Sequence, residues 1–292
     1  GKLGGNDLSY NSDLDLVCFY WVEDLSDTTQ TQLRLVKLIE AVDGILNVPR
    51  GEGSIYKIDL RLRPDGKKGE LVVALHKYQQ YLASRAEPWE RLALVRHRFL
   101  TAGSQIRVRL QKLIEGFVYQ PRLEVSDVTE LLRIRQRMET ELGKESQNKR
   151  FHLKAGVGGL VDIEFAAQLL QLKYGHHFPE LRIPNTLAAL RKLKQLGLIR
   201  NDQYETLRDS YEFLRLVENR LRVAFPYSTN SVARDPKNLK RMGRLLRRKV
   251  LGRYSPTHDF EDAYLSTTQR VRTVFEEISG ALLNTPERTV KL

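Results

Sequence analysis

Around residue 76 the hydrophobic pattern changes period, and that change constrains the fold more than any other feature of the chain. Upstream, short β-type runs alternate with a single helical stretch. Downstream, apolar residues recur at helical spacing in segment after segment, joined by short connections. The expected helices are Leu75–Arg85, Pro88–Leu100, Gln105–Phe117, Val125–Leu142, Gly159–Tyr174, Thr186–Leu196, Asp202–Ala224, Pro236–Val250 and Phe260–Leu283. Gly103-Ser104, Pro184-Asn185 and Gly197 punctuate them, and Asn201-Asp202 supplies an N-cap signal. The first third reads as a strand over Asp13–Trp21, a helix over Thr28–Asn47 and a strand over Ile55–Arg63 closed by Pro64. An Asp65-Gly66 turn then leads into Glu70–Leu75, which reads as the hairpin partner of that strand. The expected fold class is α+β: a small catalytic core of sheet and helices over residues 1–100, then a helical bundle over 101–292. A chain of 292 residues can bury both cores.

Composition narrows the function classes. With 41% hydrophobic and 29% charged residues, the chain is expected to be a soluble globular protein rather than a disordered one. No apolar run approaches the roughly 18–20 residues of a membrane span, so no membrane partner is expected. The single cysteine, Cys18, excludes an internal disulfide and fits a reducing compartment, with cytoplasm the expected location. A net charge of +12 favours anionic partners such as nucleotide phosphates or an acidic protein surface. The opening at Gly1, within what reads as a glycine turn and without methionine, suggests a piece of a longer chain.

Two acidic stretches carry the chemistry. In Gly4-Gly5-Asn6-Asp7-Leu8-Ser9-Tyr10-Asn11-Ser12-Asp13-Leu14-Asp15 the final aspartates stand two apart on a strand, so both point to one face. Like charges at about 4 Å repel by roughly 4 kcal/mol at an effective dielectric near 20. A divalent metal relieves that cost, and Mg²⁺ suits carboxylates combined with substrate phosphates. The strand Ile55–Arg63 places Lys57, Asp59, Arg61 and Arg63 on one face and Tyr56, Ile58, Leu60 and Leu62 on the other. If the strands are neighbours, Asp59 completes a set of three catalytic and metal-binding carboxylates with Asp13 and Asp15. Arg61 and Arg63 then stand near a triphosphate. An Asp-x-Asp pair alone also lines solvated edges, and a Gly-Gly doublet alone is usually a turn. Gly4 and Gly5 would let backbone amides approach phosphates, and Ser12 would add a hydroxyl contact.

These residues resemble a known family. Gly1-Lys2-Leu3-Gly4-Gly5 followed by Ser12-Asp13-Leu14-Asp15-Leu16 is similar to the nucleotidyltransferase signature of the bifunctional glutamine synthetase adenylyltransferase/adenylyl-removing enzymes. The likeness continues through Asp59–Pro64, Trp89–Arg96, Gly158–Phe165 and Phe213–Leu221, spanning about residues 1–225 in the family's order. It implies a polymerase β-like nucleotidyltransferase sheet and transfer of AMP from ATP to a tyrosine of glutamine synthetase, with Mg²⁺. Lys2 and Arg96 join Gly4, Gly5, Ser12, Arg61 and Arg63 as expected residues of the nucleotide site. The wording Gly-Gly-Leu-Val-Asp-Ile-Glu-Phe resembles the adenylylating half more than the phosphorolytic, adenylyl-removing half. A PII-type regulatory protein is a possible partner in such a family. The family's strand and helix ahead of Lys2 are absent, so an N-terminally truncated core is expected.

Other groups have plainer readings beside the functional one. Asp162 and Glu164 open a helix about 200° apart, either stabilising its N-terminus or, as the resemblance implies, serving the nucleotide or metal site. Glu164, Gln168 and Gln171 form a polar line, and Lys154 is either a phosphate contact or a solvated lysine. Trp89-Glu90-Arg91 reads as packing plus a surface ion pair, with Arg96 supporting the catalytic strands. His152, His176 and His177 lack zinc spacing and are expected to be structural or exposed. In Arg234–Arg253, Lys237, Arg241, Arg244 and Arg248 form one helical stripe and Leu239, Met242 and Leu246 another. That stripe is a solvated basic face or a docking face for an acidic partner. It lacks the aromatic interleaving of single-strand binders, which disfavours nucleic acid and an RNA-end transferase. A non-catalytic interaction fragment is the remaining alternative.

Overall fold

A computed structural model describes residues 1–9, 12–23, 28–46, 56–101, 103–143, 149–224, 230–250 and 260–284. Tyr10, Asn11, Asn47, Ile55, the Arg248 side chain and residues 251–253 of the expected elements lie outside the described residues. The chain divides into two compact units, Gly1–Gln120 and Pro121–Leu292.

In the first unit the β-type runs form strands of three residues: β1 (Asp13–Asp15), β2 (Cys18–Tyr20), β3 (Lys57–Asp59) and β4 (Val72–Ala74). β1 lies parallel to β3, and β2 parallel to β4. The continuous strand expected over Asp13–Trp21 is therefore two. The Leu16 amide still bonds the Asp59 carbonyl at 2.9 Å, but from Cys18 the chain pairs with Val72 instead. The expected hairpin is also corrected, because β3 and β4 each pair with an earlier strand. Parallel pairing needs a crossover, which no two-residue turn supplies. The turn itself is real: Asp65 (φ 59°) and Gly66 (φ 57°) are both left-handed. It lies inside the loop of residues 60–71 rather than between paired strands, and β3 stops at Asp59 instead of reaching Arg63.

Helix α1 (Thr28–Leu46) lays Leu35, Val36 and Ile39 on a small core of Tyr20, Val72 and Ala74. Helices α2 (Leu75–Ser84), α3 (Pro88–Val95) and α4 (Ser104–Val118) complete the unit, α4 packing on both α2 and α3. The start of α3 is fixed by Pro88 and by a reciprocal cap between Glu87 and Glu90. It ends at Val95, short of the expected Leu100, because Arg96 leaves helical geometry (φ −100°, ψ 37°). Glu90 and Arg91 do not form the expected surface ion pair. Both are buried: Tyr81 donates its hydroxyl to Glu90 Oε1 at 2.7 Å, and Arg91 Nη2 donates to the Val118 carbonyl at 3.3 Å. Burial pushes the Glu90 carboxyl above its usual range.

The second unit is helical, with one small antiparallel ladder between β5 (Arg150–His152) and β6 (Ser231–Ala233). Helix α5 (Val125–Met138) runs into a π-turn at Glu139–Gly143. Then come α6 (Leu160–Tyr174), α7 (Thr186–Gln195), α8 (Asn201–Ala224), α9 (Pro236–Val250) and α10 (Phe260–Asn284). α6 is apolar almost all round and contacts α5, α7, α8 and α10, as a central helix must. The cap of α8 falls one residue before the expected Asn201: the Arg200 amide donates to Gln203 Oε1 at 3.1 Å. On α9, Leu239, Met242 and Leu246 are buried while Lys237, Arg241 and Arg244 face outward, the amphipathic arrangement expected. Among the described residues no helix is long and apolar enough to cross a membrane.

Candidate active site

The β1–β3 ladder brings the sequence-predicted aspartates together. Its register sets Asp15 opposite Asp59 and Asp13 opposite Lys57. Paired residues of neighbouring strands share a face, and residues two apart on a strand do too, so Asp13, Asp15 and Asp59 stand on one side of the ladder. Carboxylates from two strands well separated in sequence thus adjoin. Arg61 answers that charge. Its guanidinium is ion-paired to Asp59, with Nε 2.8 Å from both carboxylate oxygens, and its amide donates to Asp59 Oδ1 at 2.9 Å. The Arg61 bonds hold the Asp59 carboxyl below its usual range, and Lys67 adds to that lowering. Arg61 is itself pushed up, first by Asp59 and further by Asp13 and Asp15, so one exposed cation faces all three carboxylates. Among the described residues no three His, Cys, Asp or Glu side chains are gathered tightly enough to enclose a metal.

The glycine turn abuts this face. Residues Gly1–Asp7 coil through successive turns, Gly5 N to Gly1 O at 3.1 Å and Asp7 N to Lys2 O at 2.9 Å. Gly1 lies against the Asp15 carboxylate, since a Cβ placed on it would fall 2.0 Å from Oδ2. Gly4 and Gly5 are required by a close approach of protein to protein. A Cβ on Gly4 would lie 1.9 Å from the Arg96 carbonyl oxygen, and one on Gly5 2.3 Å from Arg96 Nη2. Arg96 is buried and donates to Asp7 Oδ2 at 2.7 Å, fastening the turn to the end of α3. Ser12 is also buried, its Oγ accepting from the Ser9 amide at 3.1 Å and lying 2.9 Å from Ser9 Oγ. Lys2 Nζ reaches Ser9 Oγ at 3.5 Å. Arg63 is committed to its own loop, with Nε to the Gly69 carbonyl at 3.1 Å and Nη1 to the Leu60 carbonyl at 2.6 Å.

Asp162 lies in the second unit, fully buried at the start of α6. It is ion-paired to the equally buried Arg135 and accepts from the Gly158 amide at 2.8 Å, while Arg272 approaches its other oxygen at 3.5 Å. Arg135 also donates to the Gly156 carbonyl at 2.9 Å. Glu164, on the same helix, is half-buried. The polar line ends structurally: Gln171 donates to the carbonyls of Leu181 at 2.6 Å and Ile183 at 2.8 Å. His152 accepts from the Ala155 amide at 2.9 Å and burial lowers its pKa, whereas His176 and His177 are exposed.

The comparisons with known proteins divide along the same lines. The family profile described as glutamate-ammonia ligase adenylyltransferase matches residues 1–113, and that described as GlnD PII-uridylyltransferase matches residues 128–279. Curated relatives named bifunctional glutamine synthetase adenylyltransferase/adenylyl-removing enzyme match about three quarters of the chain or more. The one from Streptomyces coelicolor is 31% identical over 95% of this chain and 27% of its own length. That from Psychromonas ingrahamii is 29% identical over 96% and 29%, and that from Mannheimia haemolytica 33% identical over 74% and 23%. The chain belongs to the glutamine synthetase adenylyltransferase family. It spans between about a quarter and 30% of the length of these relatives.

Within this family frame, two features escaped the sequence reading. The Asp7–Arg96 pair joins residues far apart in the chain, and only the unusual Gly-Gly doublet hinted that something presses on that turn. Arg135 occupies the third position of the buried stripe Val128, Leu131, Arg135 on α5. A charged residue on an apolar stripe is the signal that its partner is buried as well.

Proposed function

We propose that this chain is a nucleotidyltransferase core that uses ATP and Mg²⁺ to place AMP on a tyrosine hydroxyl of glutamine synthetase. The observation that carries this reading is the β1–β3 register, which sets Asp59 beside Asp15 with Asp13 on the same face. The names of the relatives support the substrate and the reaction. The donor chemistry fits the metal: three carboxylates stand on one face of the ladder, the oxygen donors Mg²⁺ takes beside substrate phosphates. Asp13, Asp15 and Asp59 would hold Mg²⁺, and the Arg61 guanidinium that now faces them would turn toward the phosphates. Bound there, the metal supplies Lewis acidity toward the phosphoryl group.

The chain's own residues then have separate tasks. Lys2 and the Gly1–Asn6 turn border the nucleotide, while Gly4, Gly5, Ser12 and Arg96 give the turn its shape. The tyrosine oxygen forms its bond to the α-phosphorus as the bond to pyrophosphate breaks, and the phenolic proton passes to a neighbouring carboxylate or water. Asp162 orders the start of α6, the helix that also carries Glu164. A cytoplasmic setting and a PII-type regulator belong to the same reading. Incubating the chain with glutamine synthetase, Mg²⁺ and labelled ATP tests it. Incorporation of AMP that Asp13→Asn and Asp15→Asn abolish is expected, and undiminished incorporation in both variants would overturn it. The relatives' double name keeps a second reading in view, phosphorolytic removal of AMP. Adenylylated glutamine synthetase plus phosphate would then release ADP.

A further inference from the structure

The loop of residues 60–71 is built to hold one shape. Arg63 lies at its centre and bonds three of its carbonyls, those of Leu60, Lys67 and Gly69, at 2.6, 3.3 and 3.1 Å. Tight turns close around that guanidinium: Gly66 N to Arg63 O at 2.9 Å, Lys68 N to Asp65 O at 3.2 Å and Gly69 N to Gly66 O at 3.3 Å. Asp65 is tied to Arg85, just past the end of α2, at 3.0 Å. A planar five-donor fork is suited to gathering several carbonyls at once, and an ammonium is not. The result is a rigid rim beside the carboxylate face, carrying Arg61 before the rivet and Lys67 and Lys68 after it.

Those lysines have no structural employment. Lys67 and Lys68 are exposed, and neither side chain makes a hydrogen bond or ion pair with a described residue. Yet Lys67 is held beside the carboxylate face, because the Arg63 guanidinium that bonds its carbonyl at 3.3 Å also bonds, at 2.6 Å, that of Leu60, the residue next to Asp59. A cation fixed on a preorganised loop, next to carboxylates that would carry a metal, is placed to meet phosphate oxygens at little entropic cost. We propose that Lys67 is a phosphate contact of the nucleotide site, and that Arg63 is a positioning residue which holds Lys67 there and does not itself touch phosphate.

The inference rests on the nucleotidyltransferase reading, so its test separates the two. Mg²⁺–ATP binding is measured by calorimetry for the wild-type chain, Lys67→Gln, Arg63→Gln, Arg63→Lys and, as a control, Lys112→Gln on the exposed face of α4. Lys67→Gln is expected to weaken binding about tenfold, the cost of one charge-assisted contact, and to raise the KM for ATP with kcat changed less than about twofold. Arg63→Gln should match that loss, and Arg63→Lys should recover part of it. In parallel, limited trypsin digestion reports the loop directly, with cleavage after Lys67 and Lys68 several-fold faster in Arg63→Gln than in wild type. Wild-type binding with Lys67→Gln indistinguishable from Lys112→Gln overturns the phosphate role. A wild-type chain that binds no Mg²⁺–ATP overturns the functional reading and the lysine's role with it, and the digestion then judges the Arg63 rivet alone. Unchanged cleavage in Arg63→Gln overturns the rivet.

Discussion

Two of the chain's constellations of aspartate and arginine differ above all in burial. In the first unit Asp13, Asp15 and Asp59 share a strand face with the largely exposed Arg61. In the second, Asp162 is fully enclosed and its ion partner Arg135 is 1% exposed, with Arg272 and Glu139 at the margin. Water screens the first group and can replace either partner. Water does not replace a lost partner in the second, where only the longer contacts to Glu139 and Arg272 remain and a poorly matched charge meets a low dielectric. Burial therefore decides which constellation can exchange its counter-ion for a ligand and which can only hold the fold. Asp162 was legible as an acidic residue in a family motif, but its residue type did not reveal which of these it served.

The largest expected effect separates the two groups by stability. Asp162→Ala leaves Arg135 buried without its carboxylate and frees the Gly158 amide, a loss of about 3–5 kcal/mol. Chemical unfolding of the chain measures it. The double substitution Arg135→Met with Asp162→Leu should recover much of the loss, because removing both charges removes the desolvation cost as well. A single substitution costing under about 1 kcal/mol would erase the contrast with a surface pair.

The mirror experiment is Asp15→Asn. On the proposed reading it lowers AMP transfer on the order of 100- to 1000-fold, as removing one preorganised charge-stabilising group does. Its effect on unfolding should be within about 0.5 kcal/mol, with the sign toward stabilisation, since one of three like charges on a common face is neutralised. Activity assays beside melting curves check both halves. A large loss of stability would assign Asp15 to the same class as Asp162.

Most helices were legible because they carry their own periodic apolar stripe, a local property. Leu239, Met242 and Leu246 declared the buried side of α9 without help from any other segment. The strands were legible only as runs of residues. That Cys18 pairs with Val72, and Asp59 with Asp15, depends on parallel crossovers which leave no mark at either end. For that reason the Asp65-Gly66 turn suggested a hairpin that does not exist. The aspartates of the candidate site were read from spacing and resemblance together, whereas the clamp of Arg96 on Gly4, Gly5 and Asp7 needed three dimensions. Glycine there looked like an invitation to phosphate. In the fold it is first a consequence of crowding by an arginine.

Gly158 tests the buried constellation from its backbone side. It adopts φ +66°, and a Cβ would fall 1.8 Å from the Thr268 carbonyl oxygen on α10. Gly158→Ala should cost about 2–3 kcal/mol, combining left-handed strain with overpacking against backbone that cannot easily yield. By contrast Gly44→Ala on α1, where a Cβ would meet no described atom within 4 Å beyond its own helix backbone and chain neighbours, should be neutral or slightly stabilising. Equal melting temperatures for the two variants would mean that the turn before α6 has room to relax.

The smallest effect concerns acid, and it probes the exposed pair alone. Arg61 holds the Asp59 carboxyl below its unfolded value of about 3.9. A carboxyl lowered in this way contributes stability that is present above that value and lost as the pH falls through the folded one. Arg61→Gln lifts the restraint, so wild type and variant should differ slightly at pH 6 and converge as the pH falls below about 4. The difference should also shrink in high salt, since both groups are reached by solvent. Melts across pH 3 to 6, at two ionic strengths, record it. A gap that persists in acid would show that Arg61 acts through packing rather than charge, and the exposed constellation would then owe its shape to the same kind of contact that fixes Asp162.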